Sequence, residues 1–182
     1  MFRLYDYLES GNGYKVRLLL TQLGIPFERI ELDILKNETR TAEFLTKNLN
    51  GRIPVLEMQS GQFLAESNAI MWYLAEGTAL LPTDRWERAL VLQWLFFEQY
   101  SHEPNIATSR FWVAHHLLTD ERRALFPQKQ TLGYAALDVM EKHLTDRTFF
   151  VGEHYSIADI ALYAYTHVAH EGGFDLAKYL QV

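Results

Sequence analysis

Hydrophobic and polar positions change their period partway along the chain. In the first third they alternate in short bursts, and beyond it they recur at helical spacing. Residues 2–6 (FRLYD) read as a short strand, and residues 13–24 as a helix with Val16, Leu19, Leu20 and Leu23 on one stripe and Gly24 at the place of a left-handed cap. Residues 26–34 alternate well enough for a second strand, and residues 39–49 read as a short helix. The segments IPVLEM and QFLAES flank Gln59-Ser60-Gly61, a hairpin signal, and residues 67–77 follow as a helix with Ile70, Tyr73 and Leu74 on one face. The order is β-α-β-α-β-β-α. Crossover helices early and a short turn late predict a mixed sheet with helices on both faces.

After residues 77–84 the strand signals stop. Asp84 with Glu87 resembles a capping box ahead of a helix over 86–100 that is apolar on most sides, and Pro104 ends or kinks that helix. Further helices are expected at FWVAHHLL, at TLGYAALDVMEKHL with Leu132, Ala136, Val139, Met140 and Leu144 as its stripe, and over residues 156–173. The pattern therefore predicts an α/β domain over residues 1–77, a linker at 78–84 and an all-helical domain over 85–182. Ser156 and Asp159 form a capping box opening the last long helix, with Tyr155 and Ile160 as its hydrophobic staple.

Composition narrows the chemistry. The chain has 182 residues, 48% of them hydrophobic, a formal charge of −6 and no basic run. Nucleic acid and anionic membranes are poor partners for such a surface, although a small anion bound at a helix end is compatible with it. The chain contains no cysteine, which rules out an enzyme thiol, a disulfide or a thiolate metal site and fits a reducing compartment. No secretory leader and no run near the ~18 apolar residues of a membrane span are visible, so a cytoplasmic protein is expected. His115 and His116 are adjacent on a helix and point ~100° apart, a poor metal pair, and no metal site is expected.

The turn Ser10-Gly11-Asn12-Gly13, set between a strand and a basic amphipathic helix, has the character of an anion site: hydroxyl and amide donors at a helix N-terminus, with glycines that permit close approach. At Glu66-Ser67, Ser67 reads as an N-cap and Glu66 as an acid near the positive end of a helix. Pro54 reads as the start of a strand.

Four stretches in this order, YLESGNGYKVRLLL, NGRIPVLE, AESNAI and YSIADIALYAY, resemble the cytosolic glutathione transferases over nearly the whole chain. The resemblance implies a thioredoxin-like domain followed by a helical bundle, paired as a homodimer. It also implies glutathione as co-substrate and transfer of glutathione to a small hydrophobic electrophile, or peroxide reduction, in a detoxifying role. Ser10 stands where serine-type members keep the hydroxyl that stabilises the thiolate, with Asn12 and Tyr7 as alternatives; Tyr5 lies beside Tyr7 on the strand end. Ile53 and a cis Pro54 correspond to the residues that pair with the cysteinyl part of glutathione, and Glu66 and Ser67 to those that hold its γ-glutamyl end. Tyr14, His102, Phe111 and Trp112 are candidates for the second-substrate pocket by location. The chain departs from the family pattern at Asn68, where a basic residue is common, at Gly13, where some relatives with a similar turn carry cysteine, and at a C-terminus that is expected to be short.

Overall fold

The computed structural model describes residues 1–182. They divide into two compact units, Met1–Thr78 and Ala79–Val182.

The first unit is a four-stranded sheet in the order β2-β1-β3-β4. Strand β1 (Phe2–Asp6) pairs in parallel with β2 (Phe27–Glu31), and their crossover is helix α1 (Gly11–Gln22). Strand β3 (Val55–Glu57) runs antiparallel to β1 and to β4 (Phe63–Ala65). Gly61 closes the β3–β4 hairpin at a φ of 82°, a conformation glycine adopts without penalty. Helix α3 (Ser67–Ala75) follows β4 directly. Leu4, Tyr5 and Asp6 are consecutive and all buried, as on a strand covered on both faces. In the register Leu4 opposes Leu56 and Tyr5 opposes Val55. Tyr5, Val55 and Phe44 form one cluster with Ile30, Leu32, Ile53 and Ala65 around it. Strand alternation turns Leu4 and Leu56 to the opposite face. Val16, Leu19 and Leu20 of α1 and Ile70 and Met71 of α3 are likewise buried, and the two helices pack on each other.

The helix expected over 39–49 is largely absent. Two 3-10 turns, Ile34–Lys36 and Glu38–Arg40, lead into a four-residue helix, α2 (Ala42–Leu45). Short polar side chains explain the difference by capping backbone locally. Asp33 accepts from the amides of Leu35 and Lys36, Thr41 accepts from that of Phe44, and Asn37 sits in the left-handed region at a φ of 59°. Phe44 is the anchor, whereas Leu49 is exposed.

The second unit is all-helical. Asp84 caps α4 (Arg85–Phe97) by accepting from the amides of Trp86 and Glu87. A π-helical turn, Glu98–His102, follows α4 and runs directly into α5 (Glu103–Ala114), with Pro104 one residue past the junction. Helix α6 (Asp120–Leu144) starts well before the expected segment and contains Pro127. Its buried face also differs from the expected stripe. Gly133, Ala136, Leu137, Met140 and Leu144 are buried, while Leu132 and Val139 are exposed. Gly133 sets this rotation, because a Cβ there would lie 2.5 Å from the Phe174 ring.

Helix α7 (Ile157–Thr166) is buried along most of its length. Its capping box is formed, and Asp159 does more than cap. Its Oδ2 accepts from the Ser156 amide at 2.8 Å, and its Oδ1 accepts from the Phe150 amide at 3.0 Å, tying the preceding loop to the helix. At the chain's end the Tyr179 hydroxyl donates to Asp138 Oδ1 at 2.8 Å, and Glu141 accepts from the amides of Leu180, Gln181 and Val182.

Candidate functional site

The polar turn after β1 and the start of α3 meet in the first unit. Ser10 is the N-cap of α1, with extended backbone and its Oγ accepting from the Gly13 amide at 3.2 Å. That cap uses a lone pair of the hydroxyl and not its proton, so the capping residue keeps a donor. Asn12, two residues further, has its Oδ1 3.1 Å from Ser67 Oγ, which donates to it. The same Oδ1 accepts from Lys15 Nζ at 2.9 Å, and that ammonium also reaches Asn68 Oδ1 at 3.5 Å. Two helix N-termini and one buried ammonium thus converge on a few residues, an arrangement that favours an anion.

Ser67 is not the N-cap its sequence suggests. It is the first residue of α3, and the cap position belongs to Glu66, whose side chain makes no capping bond. The reason is the backbone: Glu66 holds a φ of 70° and a ψ of 114°, outside the regions a non-glycine residue prefers, so the chain enters the helix one residue earlier. Such conformations cost on the order of 1–3 kcal/mol and cluster at functional positions. Glu66 is exposed, whereas Ser67 is buried against Asn12.

The Ile53–Pro54 peptide is cis, and both residues precede β3, whose ladder begins at Val55. Ile53 packs its side chain on the cluster of Tyr5, Phe44 and Val55.

Beneath the turn lies a buried ion pair between Asp6 and Arg17. Burial pushes the Asp6 carboxyl above its ordinary range, and the Arg17 guanidinium opposes that shift. Arg17 also donates to the Leu8 carbonyl at 2.8 Å, so it ties the end of β1 to α1. Gly13 is required by this pair: a Cβ at position 13 would stand 1.6 Å from Asp6 Oδ1. The glycine that sequence reasoning assigned to ligand approach is therefore explained by packing on a carboxylate, and no side chain fits there.

The tyrosines separate. Tyr5 donates its hydroxyl to Glu57 Oε2 at 2.7 Å, and its hydroxyl is pushed up to about 12 by burial and by that carboxylate. It is a core residue. Tyr7 lies beyond β1, half-buried, and its carbonyl accepts from the Ser10 amide at 2.9 Å. Among the residues expected near a second substrate, His102 is fully buried and its Nε2 is 2.8 Å from Thr166 Oγ1, which makes it part of the helical core rather than a pocket wall. Trp112 carries the Arg122 guanidinium over its ring at 5.6 Å, Phe111 packs on His115, and Tyr14 carries Arg17 at 5.7 Å.

Lys15 is the member of this cluster that sequence reasoning missed, and Asn68, noted there only as a departure from the family pattern, is its second partner. A signal was present. Asn12, Lys15 and Leu19 follow at helical spacing on one face of α1, and a lysine in line with a fully buried leucine marks a cation taken into the interior.

Residues 1–76 match the model of the glutathione S-transferase N-terminal domain and residues 123–176 that of the glutathione S-transferase C-terminal domain. A crystal structure of a glutathione S-transferase from Pseudomonas fluorescens [Pf-5] superposes with a TM-score of 0.96 at 55% identity, covering 98% of this chain and 89% of that one. The disulfide-bond oxidoreductase YfcG of Escherichia coli (strain K12) is 31% identical over 98% of this chain and 85% of its own length. Protein URE2 of Eremothecium gossypii is 29% identical over 96% of this chain, which spans 60% of that relative's length. With an N-terminal sheet unit, a C-terminal helical unit and both family domains matched in order, the chain belongs to the glutathione S-transferase family.

Proposed function

We propose that the protein binds glutathione at the joined N-termini of α1 and α3 and stabilises its thiolate for attack on a small hydrophobic electrophile. The observation that carries this reading is the bond from Ser67 to Asn12, which fastens the two helix starts together in the domain matched to the family. The first backbone amides of α3, that of Ser67 among them, suit the γ-glutamyl carboxylate, while the Ser67 hydroxyl holds Asn12 beside them and exposed Glu66 suits the neighbouring ammonium. Ile53, outside the β3 ladder, offers backbone groups to the cysteinyl segment in the manner of an added strand. Ser10 and Asn12 supply the donors for sulfur, with Tyr7 as the alternative.

Lowering a thiol pKa from ~8.5 to about 7 takes ~2 kcal/mol of preference for the thiolate. A hydrogen bond to a charged group contributes roughly 1.5–3 kcal/mol and a helix end roughly 0.3–1 kcal/mol, so the two are sufficient together. The thiol proton passes to solvent, the sulfur forms a bond to the electrophilic carbon, and the leaving group departs with its electron pair. The chain has no cysteine, so any reduction of peroxides, or any disulfide chemistry of the kind named for the Escherichia coli relative, runs through glutathione itself. The same lack suits a reducing cytoplasmic setting. A homodimer completes the reading: Leu92, Phe96 and Tyr100 follow one line along α4 and its π turn, and all three are exposed.

Thiolate absorbance of the bound tripeptide against pH tests the donor assignment. Ser10→Ala and Asn12→Ala are expected to raise the bound-thiol pKa and slow turnover of an activated aryl halide, and Tyr7→Phe to leave both unchanged. A shift confined to Tyr7→Phe transfers the role to that hydroxyl. Glutathione binding with an unshifted thiol would mark a non-catalytic interaction module instead.

A further inference from the structure

Lys15 lies at the first turn and a half of α1 and is fully buried, an environment in which an ammonium is expensive unless its protons are used. Its Nζ donates to Asn12 Oδ1 at 2.9 Å and stands 3.5 Å from Asn68 Oδ1. An ammonium has three protons and no lone pair, so the Asn12 atom facing it must be the carbonyl oxygen. Ser67 Oγ converges on the same oxygen at 3.1 Å. Asparagine has two nearly isosteric ends, and an obligate donor against one of them removes the choice. The amino end of Asn12 is thereby directed away from the ammonium as a donor. Asn12 is half-buried, so one residue links a sealed positive charge to the accessible turn.

We propose that Lys15 is a positioning residue for the glutathione thiolate: it locks the Asn12 amide with Nδ2 as the sulfur's donor and polarises that donor from beneath. This rests on glutathione binding at the α1–α3 junction. Other charges stand nearby, namely the Asp6–Arg17 pair under the turn and Glu66 at the start of α3. The paired carboxylate is screened by its guanidinium. Hydrogen-bonded chains strengthen one another by about 10–30% per bond, so a cation on the amide oxygen makes its N–H a stronger donor. A purely structural lysine, holding α1 to α3, would affect unfolding and affinity without acting selectively on the ionised sulfur.

A double-mutant cycle separates the two roles. Bound-glutathione thiol pKa, read by thiolate absorbance, is measured for wild type, Lys15→Met, Asn12→Ala and the double variant. Lys15→Met is expected to raise the pKa by roughly half to one unit, a factor of about 3–10 in thiolate fraction at a pH below it. In the Asn12→Ala background the same change is expected to add less than half of that shift. Lys15→Arg, which keeps a cationic donor, is expected to recover part of it. Lys15→Gln, which keeps a neutral donor, is the substitute if Lys15→Met fails to fold. Glutathione bound with a lowered pKa in wild type and an unchanged pKa in the Lys15 variants overturns the positioning role and leaves the functional reading standing. Equal shifts in both backgrounds overturn action through Asn12. No binding to wild type overturns both.

Discussion

At the scale of single residues, the site depends on how closely two polar groups can be brought together. Gly13 lets the buried Asp6 carboxylate lie against α1 while Arg17 neutralises it. Gly13→Ala forces that carboxylate aside, and breaking a buried pair costs about 3–5 kcal/mol, so chemical denaturation should show a loss near that size. A loss below ~1 kcal/mol would mean that the pair relaxes without strain. Tyr5 provides a pH signature. Its hydroxyl pKa rises from 10.0 in the unfolded chain to about 12 in the fold. The contribution to stability is therefore full below pH ~10 and is lost as pH climbs towards 12. Tyr5→Phe should flatten the fall in melting temperature across that window, and an unaltered slope would point to other groups. The cap at Ser10 was legible in the chain because caps have local signatures, whereas Ser67, which reads as a cap, is instead the first residue of α3 and bonds to Asn12. Lys15 and the left-handed strain at Glu66 could not be placed in the same way, since both depend on where α3 lies beside α1.

At the scale of elements, strands and capped helices were readable and packing faces were less so. The strands at 2–6 and around 27–31 and the hairpin ending at Ala65 follow from alternation and turn residues. The helix over 39–49 failed because Asp33 and Thr41 cap the backbone locally and Asn37 turns it into the left-handed region. The stripe on α6 held at Ala136, Met140 and Leu144 but not at Leu132 and Val139, because Gly133 brings Phe174 close and neither residue announces the other in sequence. The Ser156–Asp159 box was legible, but its reach to the Phe150 amide was not. That extra bond raises the expected cost of Asp159→Ala. A lost cap alone costs ~1 kcal/mol, and leaving a buried amide unpaired adds ~1–3 kcal/mol. Urea unfolding should therefore give a deficit of about 2–4 kcal/mol, and a deficit of only about 1 kcal/mol would show that the Phe150 tie contributes little.

At the scale of the whole molecule, the division into a sheet unit and a helical unit follows from the change in hydrophobic period. The absence of cysteine restricts thiol chemistry to a ligand, so everything catalytic in the account depends on glutathione. The exposed line Leu92, Phe96 and Tyr100 is expected to be covered in a homodimer. Light scattering at micromolar concentration should give twice the chain's 21.2 kDa, and Phe96→Asp should shift the mass towards that of one chain. A single-chain mass for wild type would remove the dimer from the account. Every functional step proposed here requires glutathione to bind at the α1–α3 junction. Isothermal titration of glutathione into wild type and Ser67→Ala tests it most directly. Saturable binding to wild type is expected at or below millimolar ligand, weakened about tenfold by Ser67→Ala, which removes the bond that fastens α1 to α3 beside the ligand. No heat of binding to wild type at millimolar glutathione would contradict it.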